Sequence, residues 1–288
     1  MTILNRRKFI TKGALGLGAV ASLSQFPANL FAGILPGISE VSFGFQSFPI
    51  RDLIAKDFAG TLKLMAGLGY QYVEMCSPSG YSSIGFGQLV SMKPEDMRGI
   101  INEAGLTCPS CHFTFVELKN QLDERIAFAK KLGLSQMVCS SFWLPSKATL
   151  KDYLDAADTL NKIAEKIKQA GMQTGYHNHD MEFVKLDDTL IYDALMGQLD
   201  PHLVQMQFQT QVITLGYKAS TYFTKYPGRF ISSHLSDWTP DKKEVPIGQG
   251  IIDWKDFFSS AKIGGVKNFF VEMNMDKFKD SAAFIKGM

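Results

Sequence analysis

TCPSCHFTF, residues Thr107 to Phe115, can be read in two ways that lead to different proteins. On a helix, Cys108, Cys111 and His112 would share a face and spell the C-x-x-C-H pattern of covalent haem attachment. On a strand, Cys111 and His112 point to opposite faces and the spelling carries no such meaning. The run is Thr- and Phe-rich, as strands are. It also follows a helix-period segment, KPEDMRGIINEAGL, with Pro94 suited to a first turn and Gly105 to a stop. The strand reading wins. It expects no haem, and no Cys108–Cys111 disulfide, because residues three apart on a strand face away from each other.

Outward from this stretch the same unit recurs in both directions. VSFGFQS (41–47) precedes the helical DFAGTLKLMAGLGY, and QYVEMC (71–76) precedes KPEDMRGIINEAGL. After the third strand comes one expected helix, ELKNQLDERIAFAKKLGL (117–134); QMVCSSF (136–142) then leads to LKDYLDAADTLNKIAEKIKQAG. The later strands are QTGYHNH (173–179), LVQMQFQT (203–210), RFISSHLSD (229–237) and NFFVEMN (268–274), each followed by a helix-period segment. Strand and helix alternating eight times over residues 36–288 fit a single-domain (β/α)8 TIM barrel. The rival, a doubly wound sheet, lacks a G-x-G-x-x-G after its first strand.

Residues 1–35 stand apart. Arg6, Arg7 and Lys8 precede a weakly apolar run from Ala14 to Leu23, too short for the roughly 20 residues a membrane-spanning helix needs. Paired arginines before such a run resemble a twin-arginine export signal, with cleavage after Ala32 or retention as an anchor. The expected location is therefore periplasmic, with no integral membrane span in the mature chain. A net charge of +2 without a basic stripe argues against nucleic acid. Four scattered cysteines are too few for a disulfide scaffold.

Barrel chemistry gathers where strands end. Those ends carry Gln46, Glu74, His112, His177, His179, Gln209, His234 and Glu272, whereas His202 falls on the opposite rim. Each has a plainer reading: Glu74 could close a hydrogen-bond network, and His112 could be a packed histidine. His177 and His179, two apart, would share one side of a strand. Convergence of His with Glu is what a metal or acid/base site needs. Aromatic residues near the mouth (Phe48, Tyr81, Phe142, Trp143, Trp238, Trp254) suit a sugar's apolar face or ordinary packing.

GYHNHDMEF, HLSDW, PIGQGIIDW and FVEMN together resemble the xylose isomerase-like barrel family, which includes sugar phosphate isomerases/epimerases and the endonuclease IV fold. The resemblance implies a divalent metal held by Glu, Asp, His and Glu on strands five to eight. These positions fall on His177, Gln209, His234 and Glu272, so two match and two depart; Ser236 also stands where a lysine is common. Losing two carboxylates disfavours Mg²⁺ and favours Zn²⁺, Mn²⁺ or Co²⁺. The expected catalytic residues are Glu272, His112, His179 and Glu74, with Gln46, Trp143, Glu182 and Trp238 against the substrate. The implied activity is isomerisation or epimerisation of a sugar or keto-sugar by proton transfer next to a carbonyl. A keto-sugar lyase or hydratase, or a non-catalytic carbohydrate-binding barrel, are the alternatives.

Overall fold

A computed structural model of the protein describes residues 41–288, so the expected export signal lies outside the described residues. Eight parallel strands close into a barrel: β1 (Gly44–Gln46), β2 (Tyr72–Cys76), β3 (Thr107–Phe113), β4 (Gln136–Cys139), β5 (Gln173–His177), β6 (Val204–Gln209), β7 (Phe230–Leu235) and β8 (Asn268–Val271). Each pairs with its sequence neighbours, and β1 closes the ring on β8. Around them run α1 (Phe58–Leu68), α2 (Pro94–Glu103), α3 (Leu122–Leu132), α4 (Leu150–Gln169), α5 (Ile191–Gln198), α6 (Ala219–Lys225), α7 (Trp254–Gly264) and α8 (Phe278–Lys286). The (β/α)8 architecture is as the alternation indicated. No helix among the described residues is long and apolar enough to cross a membrane.

Local chemistry accounts for the element ends. Pro94 occupies the first turn of α2, followed by Glu95 and Asp96 where the helix dipole favours acid. Thr149 and Asp152 form a reciprocal capping box on α4. One expected helix is two: Phe115–Asn120 and α3 are separated at Gln121, whose φ of −136° and ψ of 30° leave the helical region. The capping box of Thr114 and Glu117 starts the short helix directly at the end of β3. The break lets it lie across the barrel mouth.

Alternation along the strands sorts the side chains. Phe45, Val73, Met75, Cys111, Phe113, Tyr176, Phe208 and Val271 face outward into the helix layer and are fully buried. His112 points inward, opposite Cys111 on the same strand, so the two cannot face one ligand. All four cysteines are free and buried, and burial pushes the Cys108 thiol up to about 12. Tyr72 packs against Phe270 at the lower end of the barrel, 5.2 Å between ring centroids. Gly44 makes room for them: a Cβ there would lie 2.1 Å from the Tyr72 ring. Above this floor the interior is polar.

Candidate active site

Glu74 on β2 is the centre of the polar interior. Its Oε1 accepts from Ser110 Oγ at 2.5 Å and Gln207 Nε2 at 2.8 Å. Its Oε2 accepts from Gln46 Nε2 at 2.9 Å and His234 Nε2 at 2.5 Å, with His112 Nε2 at 3.2 Å. Gln207 turns its Oε1 to His112 Nε2, 2.6 Å away, so that nitrogen donates. Burial opposes ionisation of Glu74, yet His112 and His234 hold its carboxyl well below the ordinary range.

His234 links this centre to Glu272. Its Nδ1 lies 2.9 Å from Glu272 Oε2, which also accepts from Gln209 Nε2 at 2.5 Å. With a carboxylate on each nitrogen, the ring is an imidazolium: burial works against the charge, but Glu272 and Glu74 raise its pKa to about 9. Glu272 is lowered to about 2, against burial, by the same ion pair. His177 is different. Burial first, then His234, His179 and His112, push it well below its ordinary value, so it is neutral. Burial likewise lowers His179 to about 4. Ring centroids separate His177 from His234 by 4.2 Å, from His179 by 4.7 Å and from His112 by 4.9 Å.

A cavity of about 800 Å³ opens above these groups at the C-terminal mouth. His112, His179, Glu272 and Trp143 line it, as expected of residues that meet a substrate. Glu74, His177, Gln209 and His234 are not part of its wall; they are buried beneath as the polar floor. Three residues expected against the substrate do not line the cavity. Gln46 is fully buried on Glu74 and on the Phe48 N–H. Glu182 is buried too, accepting from the Ser141 hydroxyl, Tyr176 OH (2.8 Å) and His179 N (2.7 Å). Trp238 donates through Nε1 to Ser236 Oγ. The strand-borne pair is also revised: β5 ends at His177, and His179 belongs to the following loop.

A sequence profile described as "Xylose isomerase-like TIM barrel" matches residues 62–288. The chain belongs to that family. None of the curated protein sequences matches it significantly. Among solved structures it is similar to a sugar phosphate isomerase/epimerase from Parabacteroides distasonis ATCC 8503 (TM-score 0.75, 20% identity, 88% of this chain and 99% of that one). It also resembles the probable 3-DHS dehydratase AsbF from Bacillus anthracis (TM-score 0.67, 11% identity, 85% and 98%). A third is D-allulose 3-epimerase from Methylomonas sp. (TM-score 0.61, 14% identity, 86% and 98%). At these identities the likeness is one of fold.

The motif that most resembles the xylose isomerase-like family has a structural task here. Asp237, two residues beyond the end of β7, is fully buried and gathers the PIGQGIIDW loop. Its Oδ2 accepts from Gly248 N, Gly250 N and Trp254 Nε1 at 2.9, 3.0 and 2.8 Å, and its Oδ1 from Trp238 N and Ile252 N at 3.0 and 3.3 Å. Gly250 is required by close approach, since a Cβ there would lie 2.1 Å from Asp237 Oδ1.

Two site residues escaped the strand-end reading. Gln207 sits two residues before Gln209, so period-two alternation alone places it on the inner face. Glu117 stands at the first position of an expected helix, outside the strand ends. Burial raises it to about 7, although Thr114 N, Ser77 Oγ and Arg125 favour its charge. Such a raised carboxyl stabilises the fold fully below its ordinary value of 4.5 and loses that contribution as pH rises through about 7. Urea midpoints of the wild type should therefore fall relative to Glu117→Gln between those pH values. Parallel curves would contradict the assignment.

The residues present fit a divalent cation held partly through imidazole. His177 keeps both nitrogens, and Gln209 its Oε1, buried without a hydrogen-bond partner among the described residues. Each such orphan costs about 1–3 kcal/mol unless an ion or water meets it. His112, His177 and His234 bring nitrogens within 4.8 Å of one another. The neutral imidazole of His177, Gln209 Oε1 and the Glu272 carboxylate are the open donors; His234 could join only by losing its Nδ1 proton.

Proposed function

We propose that this chain is an isomerase or epimerase of an unphosphorylated sugar or keto-sugar. The observation that carries this reading is convergence: Glu272, His112 and His179, from three different strand ends, meet on one cavity above a buried charge network. No lysine or arginine lines that cavity, so a phosphate would find no cation among its lining residues. This agrees with the export proposed for residues 1–35 into the periplasm.

Glu272, ionised across the working pH range, takes the proton from the carbon next to the carbonyl. The electron pair moves onto the carbonyl oxygen, giving an enediolate. His112 hydrogen-bonds the sugar oxygens while His179, a neutral imidazole, accepts from a sugar hydroxyl. In isomerisation Glu272 returns the proton it took to the neighbouring carbon; in epimerisation His112 delivers one to the opposite face and Glu272 releases its own to water. Glu74 touches no substrate; it fixes the rings of His112 and His234. A divalent ion at His177, Gln209, His234 and Glu272 (Zn²⁺, Mn²⁺ or Co²⁺ by donor type) would supply Lewis-acid polarisation of the carbonyl.

Proton exchange is the direct test. Purified protein incubated with a panel of ketoses and ring-oxidised sugars in D₂O should wash deuterium into the position next to the carbonyl. Metal analysis should find Zn²⁺, Mn²⁺ or Co²⁺ near one per chain, lost in His177→Ala. Metal-loaded protein that exchanges no proton in any of these sugars would overturn the reading in favour of a non-catalytic carbohydrate-binding barrel.

A further inference from the structure

We infer that the sugar is presented as a glycoside, its ring on His112, His179 and Glu272 and a flat apolar aglycone along the aromatic residues of the cavity. The inference rests on the sugar reading above and narrows its substrate class. In such a substrate the anomeric carbon is locked in an acetal, so the carbonyl beside the moving proton is a ketone on the ring.

Size is the first argument. A cavity of about 800 Å³ lies near the top of the range that drug-sized ligands occupy, roughly 300–1,000 Å³, and a lone monosaccharide leaves much of it unfilled. Chemistry is the second. The titratable groups His112, Glu117, His179 and Glu272 share the cavity with the rings of Phe48, Tyr81, Phe115 and Phe142. Sugar hydroxyls pressed on those ring faces would lose water and gain no partner from the rings. A flat apolar group has no such need, and edge-to-face contacts suit it: Phe115 and Phe142 already meet that way, 4.7 Å apart at 61°.

The lip supplies the third argument. Ile84, Val116 and Trp143 stand 46%, 65% and 56% exposed in the segments that follow β2, β3 and β4, all three lining the same cavity. Trp143 is held there at a conformational cost. Its φ is +49° and that of Ser141 is +72°, a left-handed region that a bulky residue rarely enters. Hydrogen bonds over-determine the turn: Ser141 Oγ to Glu182, and Trp143 Nε1 to Ser140 O at 2.6 Å. The indole ends 4.8 Å from the His179 ring. Backbone strain that keeps an indole exposed beside a candidate acid/base group is expected of a ligand platform. Glu182, which ties Ser141 to the backbone of His179, is then a positioning residue for the platform.

Calorimetric titration with paired phenyl and methyl glycosides of glucose, galactose and xylose, in both anomers, tests this. At least one phenyl glycoside should bind tenfold or more tightly than its methyl partner. Trp143→Ala should bring that ratio close to one, and Trp143→Phe should keep most of it. Val116→Ser, at the most exposed lip position, should lower the ratio as well and serves if Trp143→Ala folds poorly. Equal binding of phenyl and methyl glycosides for every sugar, or a ratio untouched by both lip variants, would overturn the inference. The two readings separate cleanly. Deuterium exchange into keto-sugars without a phenyl preference overturns the glycoside class alone, and a phenyl preference without exchange overturns the catalytic reading alone.

Discussion

Glu272→Gln lowers deuterium exchange into a keto-sugar by roughly 10²–10⁴-fold, the usual loss on removing a general base. The substitution is chosen because the amide is nearly isosteric and its oxygen can still accept from Gln209 and His234, so the fold should survive. What disappears is the charge. His234 keeps Glu74 on its Nε2 but loses one of the two carboxylates that raise its pKa. Gln209→Ala, which removes a neutral donor from the same Oε2, should cost far less turnover. Far-ultraviolet circular dichroism and a melting curve within a few degrees of wild type would show that the loss is chemical. Exchange at the wild-type rate would instead move the base to His179, the other half-buried group on the cavity wall. Glu74 and Glu182 cannot inherit the role, because both are fully buried and neither lines the cavity.

The contrast between Glu272 and Glu74 shows what a strand end does and does not reveal. Alternation and chain position were enough to choose the barrel, the mouth and the inward side of His112, His234 and Glu272. They did not give depth. Depth depends on register, and register here is irregular: β2 and β3 slip between Tyr72 and Glu74, where Thr107 and Ser110 face them. Above that slip the pairing is regular, Glu74 with Ser110 and Cys76 with His112, so Glu74 lies two residues below the level of His112. Loop chemistry was equally opaque. Glu182 lies in a short turn of helix after β5, and its buried carboxyl is explained by donors the turn brings to it, Ser141 Oγ, Tyr176 OH and the His179 N–H. The break at Gln121 had no glycine or proline to mark it. Its cause is tertiary, the anchoring of a short helix through Glu117 to Ser77 at the mouth, which no local pattern encodes.

Asp237→Ala is expected to be the most damaging single substitution for stability outside the polar floor, at about 3–5 kcal/mol by the scale of lost buried networks. One carboxylate satisfies four backbone N–H groups and one indole N–H. Removing it leaves those donors without an acceptor, at about 1–3 kcal/mol for each that stays buried. The sum exceeds the expected loss because the loop carries half-buried and exposed residues that can turn to water once freed. Trp254 cannot follow them easily, since its ring is packed edge-on against Phe257, 5.2 Å away, at the start of α7. Asp237→Asn should fall between, as its amide nitrogen would face donors that need an oxygen. Gly250→Ala should destabilise through the same anchor, because its Cβ would displace the carboxylate rather than the loop tip. Combining it with Asp237→Ala should therefore cost much less than the sum of the two, the signature of one shared interaction. Urea unfolding with unchanged m-values measures all four variants. Additive losses, or an Asp237→Ala cost within about 0.5 kcal/mol of zero, would mean that the loop is held by its apolar contacts to α8 instead.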